Sequence, residues 1–119
     1  MRISIHIHIG DIMKVNILGT EYTVTESTEA EDENLQGVDG YCDTSIKSIV
    51  IDKMDKVEPH MKKDLASHKR VVLRHELTHA YLYESGLAEC SWAQNEEMVD
   101  WIALQIPKMV NTFNEVNAF

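Results

Sequence analysis

Proline and cysteine each occur only twice in these 119 residues, and the aromatic residues Phe, Trp and Tyr together make up 7%. So few cysteines exclude a disulfide scaffold, the device that stabilises chains too small to build a core. Cys42 and Cys90 are expected to be reduced thiols. Basic residues are scarce too: 11 Lys and Arg stand against 20 Asp and Glu, a formal net charge of −9. A surface of that sign repels phosphate backbones, which argues against nucleic acid as a partner. Long apolar runs are missing as well. No stretch approaches the roughly 20 apolar residues that span a bilayer, so no membrane association is expected. The opening MRISIHIHIG alternates and lacks the continuous apolar block of a signal peptide. A cytoplasmic location is the resulting expectation.

What is present suits one globular domain over residues 1–119, with 44% hydrophobic and 26% charged residues. The first half has the period of strands. Ile3, Ile5, Ile7 and Ile9 alternate with polar residues, Lys14 to Leu18 extends the pattern, Gly19 and Thr20 offer a turn, and EYTVT at 21–25 returns as a hairpin partner. Six acids and no base occupy residues 26–39, which reads as a solvated, mobile loop. Residues 40–52 then suggest a short strand, a polar turn near Thr44 and Ser45, and a second strand to Ile51. Beyond Pro59 the period becomes helical, with Leu65, Val72, Leu73, Leu77, Ala80, Tyr81 and Leu82 on an uninterrupted stretch and Gly86 at the expected cap. A second helix is expected to start near Ser91 or Asn95 and to end or kink at Pro107. Met109, Val110, Phe113 and Val116 then keep a helical spacing that suits packing on the sheet or the main helix. The expected class is α+β: a small antiparallel N-terminal sheet against two helices.

The chemistry concentrates in Arg74-His75-Glu76-Leu77-Thr78-His79. Residues four apart on a helix share a face, one turn apart. His75 and His79 can therefore present ring nitrogens to one Zn²⁺, each about 2.0–2.1 Å away. Glu76, one step round, suits a general base that accepts a proton from an activated water. Catalytic zinc sites take three protein ligands and keep one position open. A third donor is available in Asn95-Glu96-Glu97-Met98-Val99-Asp100, where Glu96 and Asp100 share a face. Glu96 is assigned as the ligand and Asp100 as the acid that holds a ligating histidine by its other N–H. Glu97 is the alternative ligand.

HELTHAYLYESG, followed by NEEMVDWIALQIP with Glu96 seventeen residues after His79, resembles the ImmA/IrrE-type small zinc metallopeptidases of phages and mobile elements. The resemblance covers roughly residues 71–107. It implies a gluzincin-like arrangement: His75, His79 and Glu96 as ligands, Glu76 as general base, Asp100 in support, on a short sheet packed against these helices. Some members cleave a repressor protein. This chain lacks a helix-turn-helix domain and has WIALQIP where FAAELLMP is more usual. A metzincin site is excluded, because Leu82 and Ser85 stand where that pattern needs Gly and His.

The expected activity is therefore zinc-dependent hydrolysis of a peptide bond in a protein or peptide substrate. The alternative is a non-catalytic, metal-stabilised binding module, which a fourth protein ligand such as Cys90 would favour. Tyr41, Tyr81, Tyr83, His60 and His68 are chemically able to stabilise an oxyanion, but no spacing singles one out. His6 and His8 share one side of their strand and suit solvent better than a metal.

Overall fold

The structure is a computed structural model that describes residues 12–55 and 64–119. The strand expected over residues 3–9, with His6 and His8, lies outside them, as does His60. Among the described residues four strands form one sheet: β1 (Met13–Ile17), β2 (Thr20–Ser27), β3 (Gly40–Asp43) and β4 (Ser48–Asp52), in the order β1-β2-β4-β3. Two helices follow, α1 (Leu65–Glu84) and α2 (Glu96–Glu115). The class is α+β, as the periodicities imply.

The β1–β2 hairpin turns through Leu18 and Gly19, both at positive φ (51° and 97°). That pair of left-handed residues matches the twist of the flanking strands, and Asn16 Oδ1 accepts from the Gly19 N–H at 2.7 Å. β3 and β4 pair antiparallel in the same way. The sheet as a whole is mixed, which corrects the expectation of an antiparallel one: β2 and β4 run parallel, Val24 opposite Ile49 and Glu26 opposite Ile51. The segment after β2 carries the chain past the neighbouring position to the far edge, so β4 inserts between β2 and β3. Its run Ile49-Val50-Ile51, all buried, suits a central strand covered on both faces.

The acidic segment 26–39 is not a free loop either. Glu26 belongs to β2 and is buried, with Lys69 Nζ 2.6 Å from Oε1, although not aligned as a hydrogen bond. Asp32 caps a 3₁₀ turn at Glu33–Leu35 and accepts from the Tyr41 hydroxyl, while Leu35 is 1% exposed. His68 Nε2 meets Asp39 Oδ2 at 2.8 Å. Single apolar and paired charged residues anchor a segment that composition alone marks as solvent-exposed.

The core forms where α1 lies on the sheet. Ile17, Tyr22, Val24, Ile49 and Ile51 meet Val72 and Ala80, with Leu73 and Leu77 beside them. Gly40 is required at this contact: a Cβ there would stand 2.9 Å from Val72 Cγ1 and 3.0 Å from the Val50 carbonyl. α1 starts at Asp64, whose carboxylate accepts from the Ser67 N–H at 3.0 Å, a side-chain cap for an otherwise unpaired donor. It ends at Ser85, with Gly86 beyond at φ 76°.

α2 starts at Asn95, whose side chain caps Met98 N, and places Glu96 and Glu97 in the first turn, where the helix dipole favours acids. It then continues through Pro107 to Glu115, so of the expected end or kink at this proline the end does not occur. Proline has no N–H for the carbonyl four residues earlier, here Ala103. Arg74 fills that vacancy, donating Nε–H to the Ala103 carbonyl at 2.5 Å. The expected packing of the tail is also overturned. Val99 and Ala103 are fully buried, but Met109, Val110 and Phe113 are each more than a third exposed and Val116 is 66% exposed, because the helix outruns the surface it lies on. No helix among the described residues is long and apolar enough to cross a membrane.

Candidate metal centre

α1 and α2 run side by side, and their facing turns build the site. His75 and His79, one turn apart on α1, stand with Nε2 atoms 3.1 Å apart and ring planes at 71°. Glu96, in the first turn of α2, reaches both: Oε2 lies 2.9 Å from His75 Nε2 and Oε1 3.2 Å from His79 Nε2. One turn further, Asp100 Oδ1 sits 2.7 Å from His75 Nδ1. Accepting that Nδ1–H leaves Nε2 of His75 as the lone-pair side, turned toward His79 and Glu96.

Three donors thus converge, all within 4.8 Å of one another. Two nitrogens each ~2.05 Å from one tetrahedral ion stand roughly 3.3 Å apart, close to the 3.1 Å between these rings. Two lone pairs do not face each other at that distance without a proton or a cation between them. The charge and chemistry of the set, two imidazoles and one carboxylate, suit a divalent ion. A His75/His79/Glu96 group able to bind a metal ion is therefore present. Glu97, one residue round the helix, is exposed and stands outside the group.

Glu76 is 8% exposed beside this cluster. Burial pushes its carboxyl up to about 7; the His75 charge opposes the shift, and the negative charges of Glu96 and Asp100 add to it. A cation seated at the histidines would favour the ionised form. Glu76 faces an open cleft of about 640 Å³. One wall is α1, through His75, His79, Leu82 and Tyr83; the other is β3 with Val38 and Thr44; Ala88, Ala93 and Gln94 close the end.

Cys42 lines the cleft as well, where burial, then the nearby Glu76 charge, push its thiol up to about 12. It is not in the donor group. Cys90 packs with Leu82, Ala93 and Val99 and is not in the donor group. Both cysteines are free. Of the candidate oxyanion donors, Tyr41 and Tyr83 line the cleft. The Tyr41 hydroxyl is engaged by Asp32, and burial followed by that bond pushes it up to about 12. Tyr83 carries the Lys47 ammonium over its ring, 4.6 Å from the centroid. Tyr81 points to solvent and His68 is held by Asp39.

Arg74 is the residue that sequence reasoning passed over. Burial lowers its pKa, and its bond to Ala103 fixes α2 one turn beyond Asp100. The pairing of Arg74 with a downstream proline is a signal only once the two helices are known to be neighbours. No protein-family model, no curated protein and no solved structure matches this chain.

Proposed function

We propose that the protein is a zinc-dependent peptidase of the ImmA/IrrE type that hydrolyses a peptide bond in a protein substrate, in a reducing cytoplasmic compartment. The observation that carries this reading is the meeting of His75, His79 and Glu96 beside a buried Glu76, at the wall of an open cleft. When bound, zinc supplies Lewis acidity, polarising a carbonyl and lowering the pKa of a water. His75, His79 and Glu96 would hold it, and Asp100 fixes the His75 ring by accepting its Nδ1–H. Glu76 holds the proton removed from the attacking water on its carboxylate and delivers it to the departing amine nitrogen. The hydroxyl goes to the carbonyl carbon, so the elements of water are accounted for. Among the described residues β3 ends the sheet, and its outer edge offers backbone groups to an extended substrate chain lying along the cleft.

Three protein donors, and no fourth among the described residues, favour an enzyme over a closed structural site. The test is elemental analysis and peptide hydrolysis on wild type and Glu76→Gln. The expected result is about one zinc per chain in both, with cleavage reduced at least about 100-fold in the variant, the usual scale for a lost general base. Equal cleavage by both proteins would remove Glu76 from the mechanism. Zinc binding without hydrolysis by wild type would favour the non-catalytic binding module.

A further inference from the structure

Along α2, Val99, Ile102, Ile106, Met109, Phe113 and Val116 alternate three and four residues apart, the spacing of a seam between two helices. α1 covers only its first part. From Ile106 onward the seam continues unpartnered among the described residues: Ile106, Met109, Val110 and Phe113 are 37–38% exposed, Val116 66% and Phe119 80%. Phe119 folds back edge-on against Phe113, ring centroids 5.7 Å apart, which extends the apolar face past the last turn.

We infer that this face pairs with the same face of a second copy of the chain, as two antiparallel helices about a twofold axis. The area fits. The six side chains expose the equivalent of about three whole large apolar residues, on the order of 600 Å² at ~200 Å² each. Two copies then bury roughly 1,200 Å², the lower end of stable interfaces. The charge fits as well. Residues 104–119 hold a single Lys108 and a single Glu115, both on the opposite side of the helix from the seam, whereas the whole chain carries −9. Two such chains repel each other at most approaches, and this segment, whose two side-chain charges cancel, is where they meet at least electrostatic cost. The seam is also self-complementary. Antiparallel pairing centred on Asn111 sets Ile106 against Val116 and Met109 against Phe113, two apolar pairs repeated on either side of the axis, and the contact closes on itself.

Sedimentation velocity on the full chain from 1 to about 200 μM tests this, with Phe113→Glu as the variant and circular dichroism as the check on folding. The expected result is a dimer that forms with concentration in wild type and weakens at least about 100-fold in the variant, since a twofold axis counts the substitution twice. Helicity is expected to be unchanged, because Phe113 lies on an exposed face. A wild type that stays monomeric throughout overturns the inference, as does a dimer that Phe113→Glu leaves intact. A monomer that Phe113→Glu unfolds also overturns it, and assigns the face to the chain's own packing.

Discussion

Replacing Arg74 by methionine leaves the Ala103 carbonyl with no donor, since Pro107 has no N–H to offer. Hydrogen bonds from charged donors contribute about 1.5–3 kcal/mol, and a partly exposed guanidinium belongs toward the lower end, so Arg74→Met is expected to cost about 2 kcal/mol. Pro107→Ala returns the backbone N–H. Proline in a helix interior costs about 3 kcal/mol against alanine, but Arg74 already offsets much of that here, so a stabilisation of only about 1 kcal/mol is expected. With alanine at position 107 the backbone satisfies Ala103 by itself. Arg74→Met should then cost about 0.5 kcal/mol, the residue of lost packing along the arginine stem. The cycle therefore carries a coupling of about 1.5 kcal/mol, well above the roughly 0.3–0.5 kcal/mol scatter of independent sites. Urea unfolding followed by circular dichroism measures all four corners. Zinc affinity gives a second readout, because Ala103 lies one turn beyond Asp100 and two beyond Glu96 on α2. Arg74→Met is expected to weaken zinc about 10-fold, the equivalent of 1.4 kcal/mol, and Pro107→Ala to restore most of it. Equal costs of Arg74→Met in both backgrounds would refute the reasoning.

Two further outcomes follow from the geometry. Asp100→Asn keeps the shape but weakens the hold on His75 Nδ1–H, so competition with a chelator should show zinc affinity reduced about 10–100-fold, while Glu97→Gln leaves it unchanged. Acid stability should depend on Glu84. Lys47 Nζ at 2.9 Å, then the Tyr22 hydroxyl at 2.7 Å and that of Thr20 at 2.9 Å, hold its carboxyl down at about 2. The folded value lies below the ordinary 4.5, so this contribution is complete above pH 4.5 and is lost as pH falls toward 2. Unfolding midpoints for wild type and Glu84→Gln should accordingly converge across that window; parallel curves would exclude Glu84 as a source of acid sensitivity.

Much of the site was legible because its parts are local. His75 and His79 share a face by the helix repeat alone, and Asn95 caps α2 by its own side chain, whereas the first hairpin turns through Leu18 and Gly19, one residue before the expected Gly19 and Thr20. Sharing a helix face with Asp100 favours Glu96 over Glu97, and the packing of α2 on α1 brings that same Glu96 to both histidines. Those local features the chain determined by itself, through periodicities of two and 3.6 residues that need no partner. Tertiary structure decided the remainder. β4 runs parallel to β2 because it inserts beside it, and the acidic segment is held to the fold because Glu26 and Asp39 meet Lys69 and His68 far along the chain while Leu35 is buried. α2 survives Pro107 because an arginine from a neighbouring helix stands where the missing N–H would be. Each of these depends on contacts between residues distant in sequence, and periodicity carries no information about those.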